Sequence, residues 1–206
     1  MDQNEQEPES GKELEEQAGQ TPGKEKKNRP KSTLRNVLDY VIWIAAAAAI
    51  ALFINSFILL NARIPSGSME NTIMTGDRVF GFRLAYVFSE PQRGDIIIFK
   101  YPDDESQNFI KRIIGLPGET LEIREGVVYI DGEPLDEPYL KETPAAENLG
   151  PYEIPEGCYF VMGDNRNNSR DSRRWTNTYV ARDKILARAV WRYWKGFKVF
   201  GHQSYD

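Results

Sequence analysis

Hydropathy divides the chain into three unequal parts. Residues 1–37 mix acids, bases and small polar side chains with almost nothing apolar. From Tyr40 to Leu60 the chain reads YVIWIAAAAAIALFINSFILL, in which only Asn55 and Ser56 are clearly polar. A helix of that length spans about 31 Å, against a hydrocarbon core of roughly 30 Å, so a transmembrane helix is expected over 38–60. Beyond it, DRVFGFRLAYVF, GDIIIFK and NFIKRII are short β-branched or aromatic runs bounded by Gly, Pro and acidic residues. ETLEIREGVVYIDGEPL alternates apolar and polar positions, with Glu125-Gly126 and Asp131-Gly132 placed as turns. CYFVMGD and KILARAVWRYW complete the strand-like runs, and no long amphipathic helical pattern follows Leu60. The stretch from Asp136 to Gly157 holds four prolines and little periodicity, so it reads as a surface excursion within a small inserted segment, about 126–157. The fold class expected is mostly β: an antiparallel β domain over 61–206, anchored by one N-terminal transmembrane helix.

Charge refines this partition. The sequence carries 31 acidic and 26 basic residues, a net charge of −5, and the part beyond the apolar run keeps a small negative excess. That excludes a nucleic-acid binder. Residues 1–23 hold seven acids and one lysine and cannot bury enough surface to offset ordering entropy, so 1–37 is expected to be a disordered tail with a basic juxtamembrane segment. Lys24, Lys26, Lys27, Arg29, Lys31 and Arg35 crowd the amino side of the run, with Arg63 alone close on the other. The positive-inside rule then keeps the amino terminus cytoplasmic and translocates everything after Asn61. A cleaved secretory signal fits poorly, because the run exceeds an h-region of about 7–15 residues and Leu60-Asn61-Ala62 is a poor exit.

The candidate chemistry is narrowed by scarcity. Cys158 is the sole cysteine, so no internal disulfide exists, and its setting in GCYFVMG reads as a packed core thiol. His202 is the sole histidine, which leaves a zinc cluster without a second imidazole and a Ser-His-Asp triad dependent on one near-terminal residue. No metal or cofactor is expected. In IPSGSMENTIMTGD, Ser66 and Ser68 bracket Gly67 shortly after the span. Ser-Gly-Ser alone is more often a turn than a nucleophile, and a nucleophilic serine here would need a neutral lysine as its base. A free lysine, with a pKa of about 10.4, is neutral about once in 2,500 at pH 7, so the base must be desolvated; lowering it by ~3 units costs about 4 kcal/mol. Lys111 lies in FIKRIIG among Phe109, Ile110, Ile113 and Ile114, whereas Lys100 sits at a strand end within reach of water. Strand alternation puts Lys111 and Ile113 on one face and Ile110 and Arg112 on the other, which favours burial of Lys111.

Three boxes in order behind an N-terminal anchor, SGSM (66–69), FIKRIIGLPGE (109–119) and GDNRNNSRDSR (163–173), resemble those of bacterial type I signal peptidases, and the resemblance covers Leu34 to about Trp194. It implies a membrane-bound serine endopeptidase that removes signal peptides from exported preproteins, cutting after small residues at −1 and −3. By that resemblance Ser68 is the nucleophile and Lys111 the general base. The Ser66 hydroxyl and the Ser68 backbone N–H form the oxyanion hole, and Ser169 orients the lysine amine. Asp171 and Arg173 form a supporting pair, while Asp164 and Arg166 brace the same loop. The chain departs from the family pattern at Asn71, where proline is usual, and at Asn167, where an acid is usual. Ile64, Met69, Ile73 and Ile110 are candidates for the substrate-side-chain sites, being apolar and next to the dyad in sequence. The implied partners are preprotein signal peptides and the lipid bilayer, and the implied location is a single-pass cell-membrane protein with its catalytic domain outside. WRYWKGFKVF (191–200) reads either as a headgroup contact or as a last core strand.

Three rivals are open. A sortase-like anchored thiol transpeptidase would use Cys158 and His202, although in reverse chain order. A self-cleaving repressor protease would carry a DNA-binding domain where this chain has a tail and a span. A non-enzymatic anchored β module would not depend on Ser68 or Lys111.

Overall fold

The computed structural model describes residues 33–201, so most of the expected tail, the basic cluster through Lys31, and His202 lie outside the described residues. Helix α1 covers Thr33–Phe53 and continues as one π-helical turn over Ile54–Ile58. It begins before the expected boundary and carries Arg35 and Asp39 within it. Its internally bonded backbone allows this extension past the apolar run. The segment Arg35–Ile58 is long and apolar enough to cross a membrane, and its large apolar side chains are exposed on all sides. The helical course stops two residues short of the expected end. Leu59 and Leu60 open a strand instead, and Leu60 is buried in the core.

Twelve strands follow among the described residues: β1 (Leu59–Arg63), β2 (Arg78–Phe82), β3 (Ile96–Tyr101), β4 (Asp104–Gly115), β5 (Thr120–Arg124), β6 (Val127–Ile130), β7 (Glu133–Pro134), β8 (Leu149–Glu153), β9 (Cys158–Met162), β10 (Val180–Ala181), β11 (Ile185–Arg192) and β12 (Lys198–Val199). The large sheet runs β1-β2-β11-β3-β4-β9-β10, with β12 paired to β11, and the small one runs β7-β6-β5-β8. Every pairing is antiparallel. The two-residue turns fall where expected: Glu125 and Gly126 have φ of 50° and 83°, Asp131 and Gly132 have 51° and 89°, a double left-handed pattern that suits the twist of a hairpin. The proline-rich stretch is more ordered than its composition predicts, since Leu149–Glu153 pairs with β5 as β8. Within DRVFGFRLAYVF the strand ends at Phe82. Arg83–Tyr86 forms a 3-10 turn, and the Tyr86 hydroxyl donates to Asp95 Oδ2 at 2.9 Å.

Three apolar clusters hold the sheets. One gathers Ile64, Met69, Ile73, Val79, Ile98 and Ile110; a second joins Ile114, Leu121, Val128, Ile154 and Phe160; a third joins Ile97, Phe99, Ile113, Val161 and Trp175. Consecutive residues of β3 and β4 enter different clusters, so these strands are covered on both faces. That explains the unbroken IIIF run and the failure of alternation in FIKRII.

Candidate active site

The serine turn is built by closure of a loop. Ile64 N–H donates to Asp77 O at 2.9 Å and Gly76 N–H to Ile64 O at 2.8 Å, pinning the base of residues 64–77. Within it Ile73 N–H donates to Met69 O at 2.8 Å, and the side chains of Met69 and Ile73 are fully buried. These two apolar anchors hold Ser68 at the surface of the core. Lys111 arrives from β4, with Nζ 2.6 Å from Ser68 Oγ and 3.1 Å from Ile110 O. The lysine is 4% exposed and the serine 6%. Burial pushes the Lys111 amine down to about 8; Asp171 and Asp164 oppose the shift, and Arg173 adds to it. Roughly one in ten such amines is neutral at pH 7, some two-hundredfold more than for a free lysine.

Ser66 Oγ lies 3.5 Å from Ser68 Oγ, on the same side of the turn and too far for a strong hydrogen bond. The third box wraps behind the dyad. Asn165 N–H donates to Ser68 O at 3.1 Å and Asn165 Nδ2 to Gly67 O at 3.0 Å. Gly163 packs so tightly that a Cβ there would lie 2.3 Å from Ser68 O and 2.4 Å from Ser169 Oγ. Ser169 is thereby brought to the serine turn, its hydroxyl buried without a hydrogen bond of good geometry. Burial would push the Asp171 carboxyl up, but Arg173, the Gly163 N–H and Ser169 hold it below the usual carboxylate range. The Asp171–Arg173 pair is bidentate, at 2.8 and 2.9 Å.

Asp164 and Arg166 do not pair with each other. Asp164 takes both arms of Arg112, at 2.8 and 2.7 Å, and the Thr72 hydroxyl at 2.5 Å. Arg166 pairs with Glu137 and donates to Gly163 O at 3.1 Å. Arg112, on the face that alternation sets opposite Lys111, is also only 4% exposed, because this carboxylate neutralises it. Arg112, Glu137, Gly163 and Asn165 thus join the site without having been singled out from sequence. Gly163 and Asn165 lay in a recognised box, while Arg112 and Glu137 needed the fold to meet their partners. Lys100 is half-buried and does not line the cleft.

A cleft of about 620 Å³ opens beside the dyad, lined by Leu60–Ser66 on one wall, Gln107–Lys111 on the other, and Ile98. Ile64 and Ile110 line it, but Met69 and Ile73 do not; their burial serves the turn instead. β1 is an edge strand of the large sheet, and β9 covers only Arg112–Gly115 of β4, leaving Asp104–Lys111 with no strand on that side. Both walls of the cleft are therefore strand edges.

The sortase-like reading finds no support here. Cys158 packs against the second cluster, away from the cleft, and burial pushes its thiol up, which disfavours the thiolate that a nucleophile requires. His202 lies outside the described residues.

Comparison with known proteins agrees with the geometry. The family model for signal peptidase, peptidase S26, matches residues 37–194. A probable signal peptidase I-2 of Synechocystis is 40% identical over 176 residues, 83% of this chain and 78% of that protein. A signal peptidase I of Leptolyngbya laminosa is 43% identical over 159 residues, 73% of this chain and 76% of that one. A crystal structure of a signal peptidase I from Enterococcus faecalis V583, at 38% identity, covers 48% of this chain and 97% of its own with a TM-score of 0.43, and the assignment does not rest on it. With the family match spanning most of the chain and relatives this similar over more than three quarters of their own length, the chain belongs to the signal peptidase family, peptidase S26.

Proposed function

We propose that this peptidase removes amino-terminal signal peptides from exported preproteins with Ser68 as nucleophile and Lys111 as general base. The observation that carries the reading is the 2.6 Å contact between Ser68 Oγ and a buried, pKa-lowered amine at the wall of a cleft. Neutral Lys111 takes the Ser68 proton as Oγ attacks the scissile carbonyl carbon. The resulting ammonium gives that proton to the departing amine, leaving an acyl-enzyme on Ser68. A water, deprotonated by Lys111, then attacks the ester; the ammonium returns that proton to Ser68 Oγ as the ester bond breaks, and the signal peptide leaves with a new carboxylate. The Ser68 N–H and the Ser66 hydroxyl, after a small rotation from its 3.5 Å position, stabilise the oxyanion. The Asp171–Arg173 pair holds the loop against which the dyad packs, and Ser169, packed beside the serine turn, orients the Lys111 amine.

The substrate binds extended between the two open edges, adding backbone pairing to both. Ile64, Ile98 and Ile110 wall the positions of its −1 and −3 side chains. One methylene discriminates by only ~1–3 kcal/mol, so this wall works by exclusion as much as by attraction.

Anchorage follows from the apolar helix. The amino terminus faces the cytoplasm and the β domain the outside, because the basic residues lie ahead of Tyr40. Trp194 and Phe197 are 55% and 75% exposed on the turn between β11 and β12, which suits a headgroup contact better than a core strand. Activity in vesicles surviving deletion from Lys195 onward would remove that contact from the account.

The test is cleavage of a purified preprotein by the detergent-solubilised wild type, Ser68→Ala, Lys111→Ala and Cys158→Ala, with products mapped by mass spectrometry. Cutting after a small residue, abolished by the first two substitutions and kept by the third, is the expected result. Loss with Cys158→Ala alone would point to a thiol enzyme.

A further inference from the structure

Between Pro134 and Leu149 the chain has no regular secondary structure, yet it is fastened at many points. On its outer side it sits against the β5–β6 turn. Gly126 N–H donates to Glu147 O at 3.0 Å, and a Cβ on Gly126 would lie 2.6 Å from Ala145 O. On its inner side it touches both loops that carry the candidate chemistry. Lys141 bonds Glu70 Oε2 through Nζ at 2.9 Å and Asp164 O through its backbone N–H at 3.2 Å. Glu137 holds Arg166, and the Tyr139 ring lies under the Arg112 guanidinium at 4.0 Å.

Two asparagines complete the attachment, and they are the two positions at which the chain departs from the pattern of the family it resembles. Asn71 has φ of 89°, and its Nδ2 donates to Tyr139 O at 3.0 Å and Leu140 O at 3.3 Å. A proline, with φ fixed near about −65°, could neither adopt that backbone nor supply the donor. Asn167 accepts from Ala145 N–H at 2.8 Å and donates to Thr143 O at 3.2 Å and Glu142 Oε1 at 3.0 Å. A carboxylate could make the first of these bonds but neither of the others.

We propose that Glu137–Glu147 is a strap that positions the Ser68 turn and the Gly163–Ser169 loop against each other, with Asn71 and Asn167 as its fasteners. No residue of the strap lines the cleft, so it acts through the residues it holds and not on the substrate. The inference rests on the reading of Ser68 and Lys111 as the dyad. Loosening the strap leaves substrate binding in place but spoils the alignment of Oγ with the scissile carbon and admits water to Lys111.

Two variants of the full chain in detergent test it. Asn167→Asp keeps the shape and removes the donor. Asn71→Gly keeps access to positive φ, removes the amide and adds no charge. The expected result for each is a fall in kcat of about tenfold with KM within about twofold, since small misplacements of reacting groups are costly in rate. For Asn71→Gly the acid limb of the kcat profile also moves to higher pH, because Asp164, Asp171, Arg173 and Ser68, the groups around the amine, are unaltered while its drying is weakened. A lowered thermal midpoint with unchanged kcat and unchanged limb would overturn the proposal, leaving a strap that serves stability alone. A rise in KM at constant kcat would also overturn it. Activity retained by Ser68→Ala would end the underlying peptidase reading; Ser68→Ala inactive, with both asparagine variants normal, would end the strap alone.

Discussion

Gly163 lies so close behind Ser68 that a methyl group at its Cα would sit 2.3 Å from the serine carbonyl oxygen. Its neighbour Asn165 reaches the same carbonyl from its backbone N–H. The serine turn and the third box therefore meet backbone to backbone, with no flexible side chain between them to absorb a change. Gly163→Ala should displace Ser68 by several tenths of an ångström at least and lower kcat by about a hundredfold, with the protein still folded. Steady-state kinetics alongside circular dichroism checks this, and near-normal kcat would mean that the backbone contact is dispensable.

Lys111 predicts a pH profile. With Lys111 as the proposed base and its amine lowered to about 8, log(kcat/KM) should rise with unit slope below that pH and level above it. Folding stability carries the same sign. Between about pH 8 and the lysine range near 10.5 the unfolded chain holds a proton that the folded chain has lost, so stability attributable to this residue increases with pH across that window. Lys111→Met should be inactive yet more stable than wild type at pH 7, with the gap narrowing towards pH 10.5. Chemical denaturation of both proteins at several pH values measures it.

Asp164 and Arg112 form a buried pair, 1% and 5% exposed at their side chains. Removing one partner strands the other, so Arg112→Ala should destabilise by about 3–5 kcal/mol, whereas replacing both with apolar residues should cost far less. Thermal unfolding of the single and double variants tests the coupling. Additive losses would mean that the two charges are solvated independently.

Ile110 lines the cleft next to Lys111. Ile110→Ala should enlarge the site and admit larger side chains at −1 or −3, read by mapping the cleavage of a preprotein set that varies those residues. Unchanged specificity would move the selective wall to Ile64 or Ile98.

How far these relationships were legible depends on their range. The Glu125-Gly126 and Asp131-Gly132 turns could be read locally, because positive φ at both central positions has a sequence signature. Lys111 was legible through its apolar flanks, which promised desolvation. Arg112 was not: alternation assumes one wet face, and this part of β4 has none. What makes its burial tolerable is a carboxylate 52 residues away that only the fold brings near. Met69 and Ile73 show a different limit. Apolarity beside a nucleophile is equally compatible with lining a cleft and with anchoring a turn, and only the packing separates the two. Asn71 and Asn167 stand out in the sequence as departures, but their partners belong to the proline-rich excursion, which only the fold lays across them.

An open sheet edge does not choose its guests. The backbone groups of β1 that face the cleft would pair as readily with β1 of a second copy as with a preprotein, and ladders of that kind seed aggregates. Asn61 and Arg63, both exposed on β1, interrupt the apolar surface of this edge with polar side chains, the kind of residue that works against such ladders. The edge proposed to receive a substrate strand thus carries polar side chains that disfavour its pairing with a second copy.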